Sequence, residues 1–107
     1  MKKCWYIYLD DIRKPEKDFK YSKGIPITVI VRDYNSMIGT LIDLLNTDSK
    51  IIIDLDHDLG EEKTGYDVCK WIVENQYPLT AFHVHTMNPV GRANMIQLLK
   101  HYGYEEI

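Results

Sequence analysis

The sequence has 107 residues, of which 45% are hydrophobic and 27% charged, a composition typical of one globular domain with a single core. Sixteen acidic side chains outnumber thirteen basic ones and give a net charge of -3, so we expect no nucleic-acid binding through bulk charge. No apolar run is long enough to cross a bilayer, and the run from Cys4 to Leu9 is too short for a signal peptide. We therefore expect a cytoplasmic protein with no membrane partner.

Four segments are rich in β-branched and aromatic residues, which is typical of strands. They are Cys4 to Leu9, Ile27 to Arg32, Lys50 to Asp54, and Ala81 to Thr86. Pro15 disfavours a long helix after the first strand, and the polar segment up to Pro26 is predicted to be an irregular connection.

Three helices are predicted after the second, third and fourth strands. Apolar residues recur at helical spacing after each of these strands, and each helix has a capping signal at its start. The capping candidates are Asp33 or Asn35, then Thr64 with Asp67, and finally Asn88 followed by Pro89. Gly103 suits the position just after the last helix.

This alternation predicts a single α/β domain over residues 1–107. Strands that alternate with helices form a mostly parallel sheet with right-handed crossovers. We predict a three-layer sandwich with strand order 2-1-3-4, four to five strands, and helices on both faces. Residues Tyr104 to Ile107 can add at most a short edge segment.

Polar side chains follow three of the predicted strands. Asp10 and Asp11 follow the first, and Asp54 and Asp56 alternate at the end of the third. In a parallel sheet these ends share one edge, where crowded carboxylates must take up protons or bind a cation. Oxygen ligands favour Mg²⁺, with Mn²⁺ as an alternative, so these four aspartates are the candidate metal ligands. The structural alternative is a solvated loop after each strand.

His83 and His85 lie two residues apart on the fourth strand, so both rings face the same side, roughly 7 Å apart. Such a pair could act as acid and base on a phosphodiester. Two alternatives stay open: both rings ligate a transition metal with an aspartate, or both are hydrogen-bonded core residues.

The segment Asn88-Pro89-Val90-Gly91 starts a helix directly after the histidine-rich strand. Free N–H groups at a helix start favour an anion, Gly91 permits close approach, and Arg92 and Asn94 could reach a phosphate. This signal is weak alone and stronger after the preceding His-x-His-Thr.

The motifs LDDIRKP, DLDHDLG, TGYD, HVHTMNPVG and ANM together cover nearly the whole chain. They resemble the response-regulator receiver domain and, more closely, the cyclic-phosphate-processing receiver family. The resemblance implies a flavodoxin-like fold and a role in processing cyclic phosphates of nucleotides. Of the two buried-strand aspartates, Asp56 corresponds better to the receiver's central carboxylate, because its distance to Gly65 fits a receiver loop.

Two departures separate the chain from signalling receivers. Such receivers have a lysine at the end of a fifth strand, whereas the last lysine here is Lys100, inside the last predicted helix. The histidines of the fourth strand are also foreign to them. Both departures favour an enzyme-like protein.

These observations predict a metal-assisted phosphoesterase, a hydrolase of a cyclic phosphate or phosphodiester of a nucleotide. The metal ligands would be Asp10, Asp11 and Asp56, with Asp54 as a further candidate. Catalysis would involve His83, His85 and Asp56, and the phosphate would contact Thr86, Asn88, Gly91, Arg92 and His57. The alternatives are a non-catalytic module that sequesters a nucleotide and a degenerate signalling receiver. No oligomeric state is predicted.

Overall fold

The computed structural model describes residues 2–15 and 26–107, so most of the predicted connection before Pro26 lies outside the described residues. The strands are β1 (Cys4–Leu9), β2 (Ile27–Val31), β3 (Lys50–Leu55) and β4 (Ala81–Val84). The helices are α1 (Tyr34–Leu44), α2 (Gly65–Glu74) and α3 (Pro89–His101). Every predicted element is present. The strands begin at the predicted residues, β1 also ends as predicted, and the other three strands end one or two residues from the predicted positions. No described helix has the length and apolar character needed to span a membrane.

The strands form one parallel sheet in the order β2-β1-β3-β4. This confirms the predicted order and the α/β receiver-like fold. Near the carboxyl end of the described chain, Glu106 forms a parallel bridge with Phe82 at the outer edge of β4. The predicted short edge segment is therefore present as well.

The three helices begin at the predicted caps. The Asp33 side chain accepts the Ser36 N–H at 2.8 Å, so Asp33 and not Asn35 caps α1. The Thr64 N–H donates to Asp67 at 2.8 Å at the start of α2, and Pro89 occupies the first turn of α3. Because each helix follows a parallel strand, all three helix starts lie at the carboxyl edge of the sheet.

The helices of the described chain pack on one face of the sheet. Side chains from all three helices join alternate strand residues such as Ile7, Ile53 and Phe82 in the main core. The opposite face carries a smaller cluster of strand residues, to which no described helix contributes. Its members are Cys4, Tyr6, Tyr8, Ile52 and Ala81. Within residues 2–15 and 26–107, helices therefore cover one face of the sheet, whereas we predicted helices on both faces and hence three layers.

Candidate functional site

The predicted convergence at the carboxyl edge of the sheet is present. Asp10, Asp56 and His85 each follow the last residue of a strand, and the backbone ladder continues one residue beyond the strands. The Asp56 N–H donates to the Leu9 carbonyl at 3.0 Å, and the His85 N–H donates to the Leu55 carbonyl at 2.9 Å. One ligand atom from each of Asp10, Asp56 and His85 lies within 4.8 Å of the others, and we call these residues the edge cluster.

Asp10 is fully buried and accepts four hydrogen bonds. Its Oδ1 accepts the N–H groups of Ile12 at 3.0 Å and Arg13 at 2.8 Å. Its Oδ2 accepts Arg13 Nε at 2.9 Å and His85 Nε2 at 3.0 Å. Burial raises the pKa of the Asp10 carboxyl, but the two backbone N–H groups, His85 and Arg13 lower it more, to about 2. Asp10 is therefore an anion at any physiological pH.

His85 lies between two carboxylates. Its Nδ1 is 2.7 Å from Asp54 Oδ1 and its Nε2 is 3.0 Å from Asp10 Oδ2. The ring stacks on Tyr8 with centroids 4.4 Å apart. Burial lowers the pKa of His85, but hydrogen bonding and attraction to Asp54, followed by Asp10 and Asp56, raise it overall. Since ionised carboxylates only accept hydrogen bonds, this arrangement favours the form of His85 in which both ring nitrogens carry protons.

Asp54 orients His85 and lies outside the edge cluster. The Tyr6 hydroxyl donates to Asp54 Oδ2, and Asp54 Oδ1 accepts from His85. Burial and then the hydrogen bond to Asp54 raise the pKa of Tyr6, so the phenol stays protonated as a donor. Both oxygens of Asp54 are thus engaged by side chains, which favours Asp56 over Asp54 as the central carboxylate.

The start of α2 packs against the backbone of Asp56. Its Oδ1 accepts the His57 N–H at 2.8 Å, and its Oδ2 lies 3.7 Å from Arg13 Nη2. A Cβ atom placed on Gly65 would lie 1.9 Å from the Asp56 carbonyl oxygen. The glycine of the Thr-Gly-Tyr-Asp motif therefore allows α2 to pack directly against this strand end.

Two acidic residues of the same loops have other neighbours. Asp11 lies beside Gly60, where an added Cβ would be 3.0 Å from Asp11 Oδ2. Asp58 is exposed and accepts from His57 Nδ1 at 3.0 Å, a hydrogen bond that holds the pKa of Asp58 below its ordinary value. Neither residue belongs to the edge cluster. The predicted role of Asp11 as a metal ligand stays a prediction.

The predicted phosphate contacts surround the start of α3. The Thr86 hydroxyl oxygen accepts the Asn88 N–H at 3.2 Å, and Asn88 Oδ1 accepts the Gly91 N–H at 2.9 Å. A Cβ on Gly91 would lie 2.6 Å from the His57 ring, so this glycine makes room for His57. The Arg92 guanidinium donates to the Val84 carbonyl. The Gly91 N–H is thus used by the helix cap, and phosphate binding by these residues stays a prediction.

His83 does not join the carboxylates. Its Nδ1 lies 2.9 Å from the carbonyl oxygen of Ile107, to which an Nδ1–H would donate. His85, two residues later, reaches Asp10 and Asp54. The structure therefore brings only one of the two predicted acid–base residues into the edge cluster, and the paired role of the histidines stays a prediction.

The edge cluster could hold a divalent cation. Two carboxylates and one imidazole converge within 4.8 Å, a separation that one ion can bridge. The imidazole nitrogen suits Mn²⁺ or another transition metal better than Mg²⁺, whereas Asp10 and Asp56 alone with waters suit Mg²⁺. Of the four predicted aspartates, Asp10 and Asp56 lie in the edge cluster, with His85 as the third possible ligand, and the metal-binding roles of Asp11 and Asp54 stay predictions.

Two residues near the edge cluster were missed by the sequence analysis. Arg13 pairs with Asp10 through Nε at 2.9 Å, and Tyr8 forms the stacking surface for His85. The signal for Arg13 is the Asp-x-x-Arg spacing in a turn directly after a strand. Tyr8 alternates with Asp10 along the same strand, which places both on one face.

The ionisation of Asp10 and His85 leads to an expected pH profile of stability. The pKa of Asp10 falls from 3.8 to about 2 on folding, so its stabilisation is present above pH 3.8 and is lost as the pH falls towards 2. The pKa of His85 rises on folding, so its stabilisation is present below its ordinary pKa of 6.5 and is lost as the pH rises through the folded value. The melting temperature, measured with a chelator present to keep the protein free of metal, should therefore be highest between pH 3.8 and pH 6.5. The His85→Gln variant should lose the alkaline decline, and a decline that persists there would contradict this assignment.

The comparisons with known proteins agree with the geometry. The family model described as the cyclic-phosphate processing receiver domain matches residues 5–101. No curated protein and no solved structure matches the chain significantly. The family match includes β1 from Trp5 onward, the other strands and the helices of the described chain, and every residue of the edge cluster. The chain therefore belongs to the family of cyclic-phosphate processing receiver domains.

Proposed function

We propose that this protein is a metal-assisted phosphoesterase that opens a cyclic phosphate or cleaves a phosphodiester of a nucleotide. The observation that carries the proposal is a histidine with a raised pKa, His85, fixed between Asp54 and Asp10 beside a possible cation site. Hydrolysis of a phosphodiester needs such a proton donor together with positive charge near the phosphate. The family description supports the cyclic-phosphate class of substrate.

His85 would serve as the general acid. A water oxygen attacks the phosphorus and releases one of its protons to solvent, the ester P–O bond breaks, and the leaving oxygen takes a proton from His85. The products are a phosphate monoester and a hydroxyl group, and His85 regains its proton from solvent. Asp54 and the Tyr6 hydroxyl keep the imidazole oriented during this transfer. A divalent cation held by Asp10 and Asp56 would supply Lewis acidity and offset the charge of the carboxylates.

The remaining proposed contacts lie at the start of α3. The phosphate would meet Thr86 and Asn88, with Gly91, Arg92 and His57 nearby, because helix starts favour anions. His83 would act as a second proton-transfer residue if it leaves the Ile107 carbonyl. Lys100 lies within α3 with its ammonium group 3.9 Å from Glu106, which disfavours a signalling receiver that depends on a lysine beside the aspartates.

The proposed function is tested with a substrate panel. Purified protein with Mg²⁺ or Mn²⁺ is incubated with 2′,3′-cyclic nucleotides, 3′,5′-cyclic nucleotides and cyclic dinucleotides, and products are followed by phosphorus NMR. We expect turnover of at least one class, and its loss in the Asp56→Asn variant. Tight nucleotide binding by calorimetry without turnover of any class would instead support the sequestering module. Phosphoryl transfer from a small phosphodonor to Asp56 would support the signalling receiver.

A further inference from the structure

Arg13 covers the oxygen atoms that a cation would need. The Asp10 carboxylate accepts the backbone N–H groups of Ile12 and Arg13, which turns the chain back over the strand end. This turn places Arg13 Nε 2.9 Å from Asp10 Oδ2 and Arg13 Nη2 3.7 Å from Asp56 Oδ2. One guanidinium therefore bridges both carboxylates of the edge cluster.

A cation and Arg13 compete for the same atoms. Asp10 Oδ1 already accepts two backbone N–H groups, so Oδ2 is the oxygen with access to the cluster. Oδ2 is contacted by His85 Nε2 from within the cluster and by Arg13 Nε from the solvent side. A divalent cation between Asp10 and Asp56 would lie within a few ångströms of the guanidinium, and like charges at that distance repel strongly. Cation binding therefore requires the Arg13 side chain to leave.

The Arg13 side chain can leave without unfolding the loop. It is 45% exposed, whereas the Asp10 side chain beneath it is fully buried. Its backbone is held independently, because the Arg32 guanidinium donates to the carbonyls of both Arg13 and Asp10. The guanidinium thus lies at the solvent side of the edge cluster on a fixed main chain.

We propose that Arg13 and the divalent cation exchange places on Asp10 and Asp56, and that the released guanidinium binds the phosphate group of the ligand. This inference rests on the proposed function. Three buried carboxylates, those of Asp10, Asp54 and Asp56, outweigh the charges of His85 and Arg13, so the cluster alone repels a phosphate. A bound divalent cation makes the site net positive, and a guanidinium forms paired hydrogen bonds to phosphate oxygens. Cation and phosphate therefore bind cooperatively through Arg13.

The test measures two affinities in one variant. Calorimetric titration of Mn²⁺ alone should show about tenfold tighter binding to Arg13→Gln than to the unmodified protein, because a partly exposed, charged competitor for the two carboxylates is removed. Titration of inorganic phosphate at saturating Mg²⁺ should show about tenfold weaker binding to the same variant. Tighter Mn²⁺ binding together with weaker phosphate binding would identify the exchange, since general damage to the site would weaken both affinities.

Lys14→Gln is the matched control, because it removes one positive charge from the next, exposed residue. It should change neither affinity more than about twofold, the scale of a screened surface charge. Arg13→Lys keeps the charge and should restore part of the competition and part of the phosphate affinity. Unchanged or weaker Mn²⁺ binding by a folded Arg13→Gln protein would overturn the exchange while leaving the phosphoesterase open. If the unmodified protein binds no cation, the metal-assisted function fails and the exchange fails with it.

Discussion

Replacing His85 by glutamine is expected to lower turnover of a cyclic phosphate by about 10²–10⁴-fold, the range for loss of one general acid or base. The imidazole lies between Asp54 and Asp10 with both nitrogens bonded, and glutamine offers no proton near neutral pH. If His85 acts as the acid, the variant keeps its fold and its Mn²⁺ affinity. Steady-state kinetics, thermal unfolding and calorimetric Mn²⁺ titration on the same sample separate these effects.

His83→Gln is the matched control on the same strand and face. Its ring contacts the Ile107 carbonyl and not a carboxylate, so we expect a much smaller loss of turnover than in His85→Gln. Equal losses in the two folded variants would support the acid–base pair suggested by the sequence. A loss in His85→Gln that excess Mn²⁺ restores would instead identify His85 as a metal ligand. Full turnover by a folded double variant would exclude any catalytic role for either histidine.

Replacing Gly65 by alanine is expected to lower the free energy of unfolding by about 3 kcal/mol, the upper end of the usual range for overpacking. The added Cβ would lie 1.9 Å from the Asp56 carbonyl oxygen and 2.8 Å from Met95 Cε. The methionine can adjust, but the carbonyl belongs to the strand end that positions Asp56. Urea denaturation followed by tryptophan fluorescence measures the loss, and Mn²⁺ affinity at low temperature reports the displacement of Asp56.

Gly39→Ala makes the same chemical change, but we expect it to raise the free energy of unfolding. Gly39 lies exposed within α1, and a Cβ there meets nothing within 4 Å. Alanine favours helix over glycine, so this variant should be more stable by about 0.5–1 kcal/mol. If Gly65→Ala were tolerated as well as Gly39→Ala, α2 would not support the strand end through close backbone contact.

The fold was predictable because its signals are local. Runs such as Ile51 to Ile53 show a buried strand, and Asn88-Pro89 shows a helix start, without knowledge of the rest of the chain. Alternation of these elements then limits the sheet to a few topologies, of which 2-1-3-4 is observed. The position of helices relative to the two faces was less predictable, since the face opposite the helices is built from strand residues such as Tyr6 and Ile52.

The site was predictable as a set of residues but not as a set of contacts. Asp54 and Asp56 have the same parity along the chain, so alternation cannot show that one orients His85 while the other faces Arg13. His83 and His85 are equivalent by the same rule, and only the position along the strand relative to Asp10 separates them. The role of Arg13 depends on a turn formed by hydrogen bonds to Asp10. The spacing of apolar residues does not predict such a turn.

The residues that contact His85 are distant from it along the chain, and this distance determines when the site can form during folding. His85 meets Asp54 across 31 residues and Asp10 across 75 residues. Contacts of such high order form only after β1, β3 and β4 have docked side by side, because closure of long loops precedes them. Local helix formation cannot create any part of this arrangement, and no fragment that lacks β1 or β4 retains it. Chemistry at this edge is thus a property of the assembled sheet, and local opening of β1, β3 or β4 removes one residue of the edge cluster.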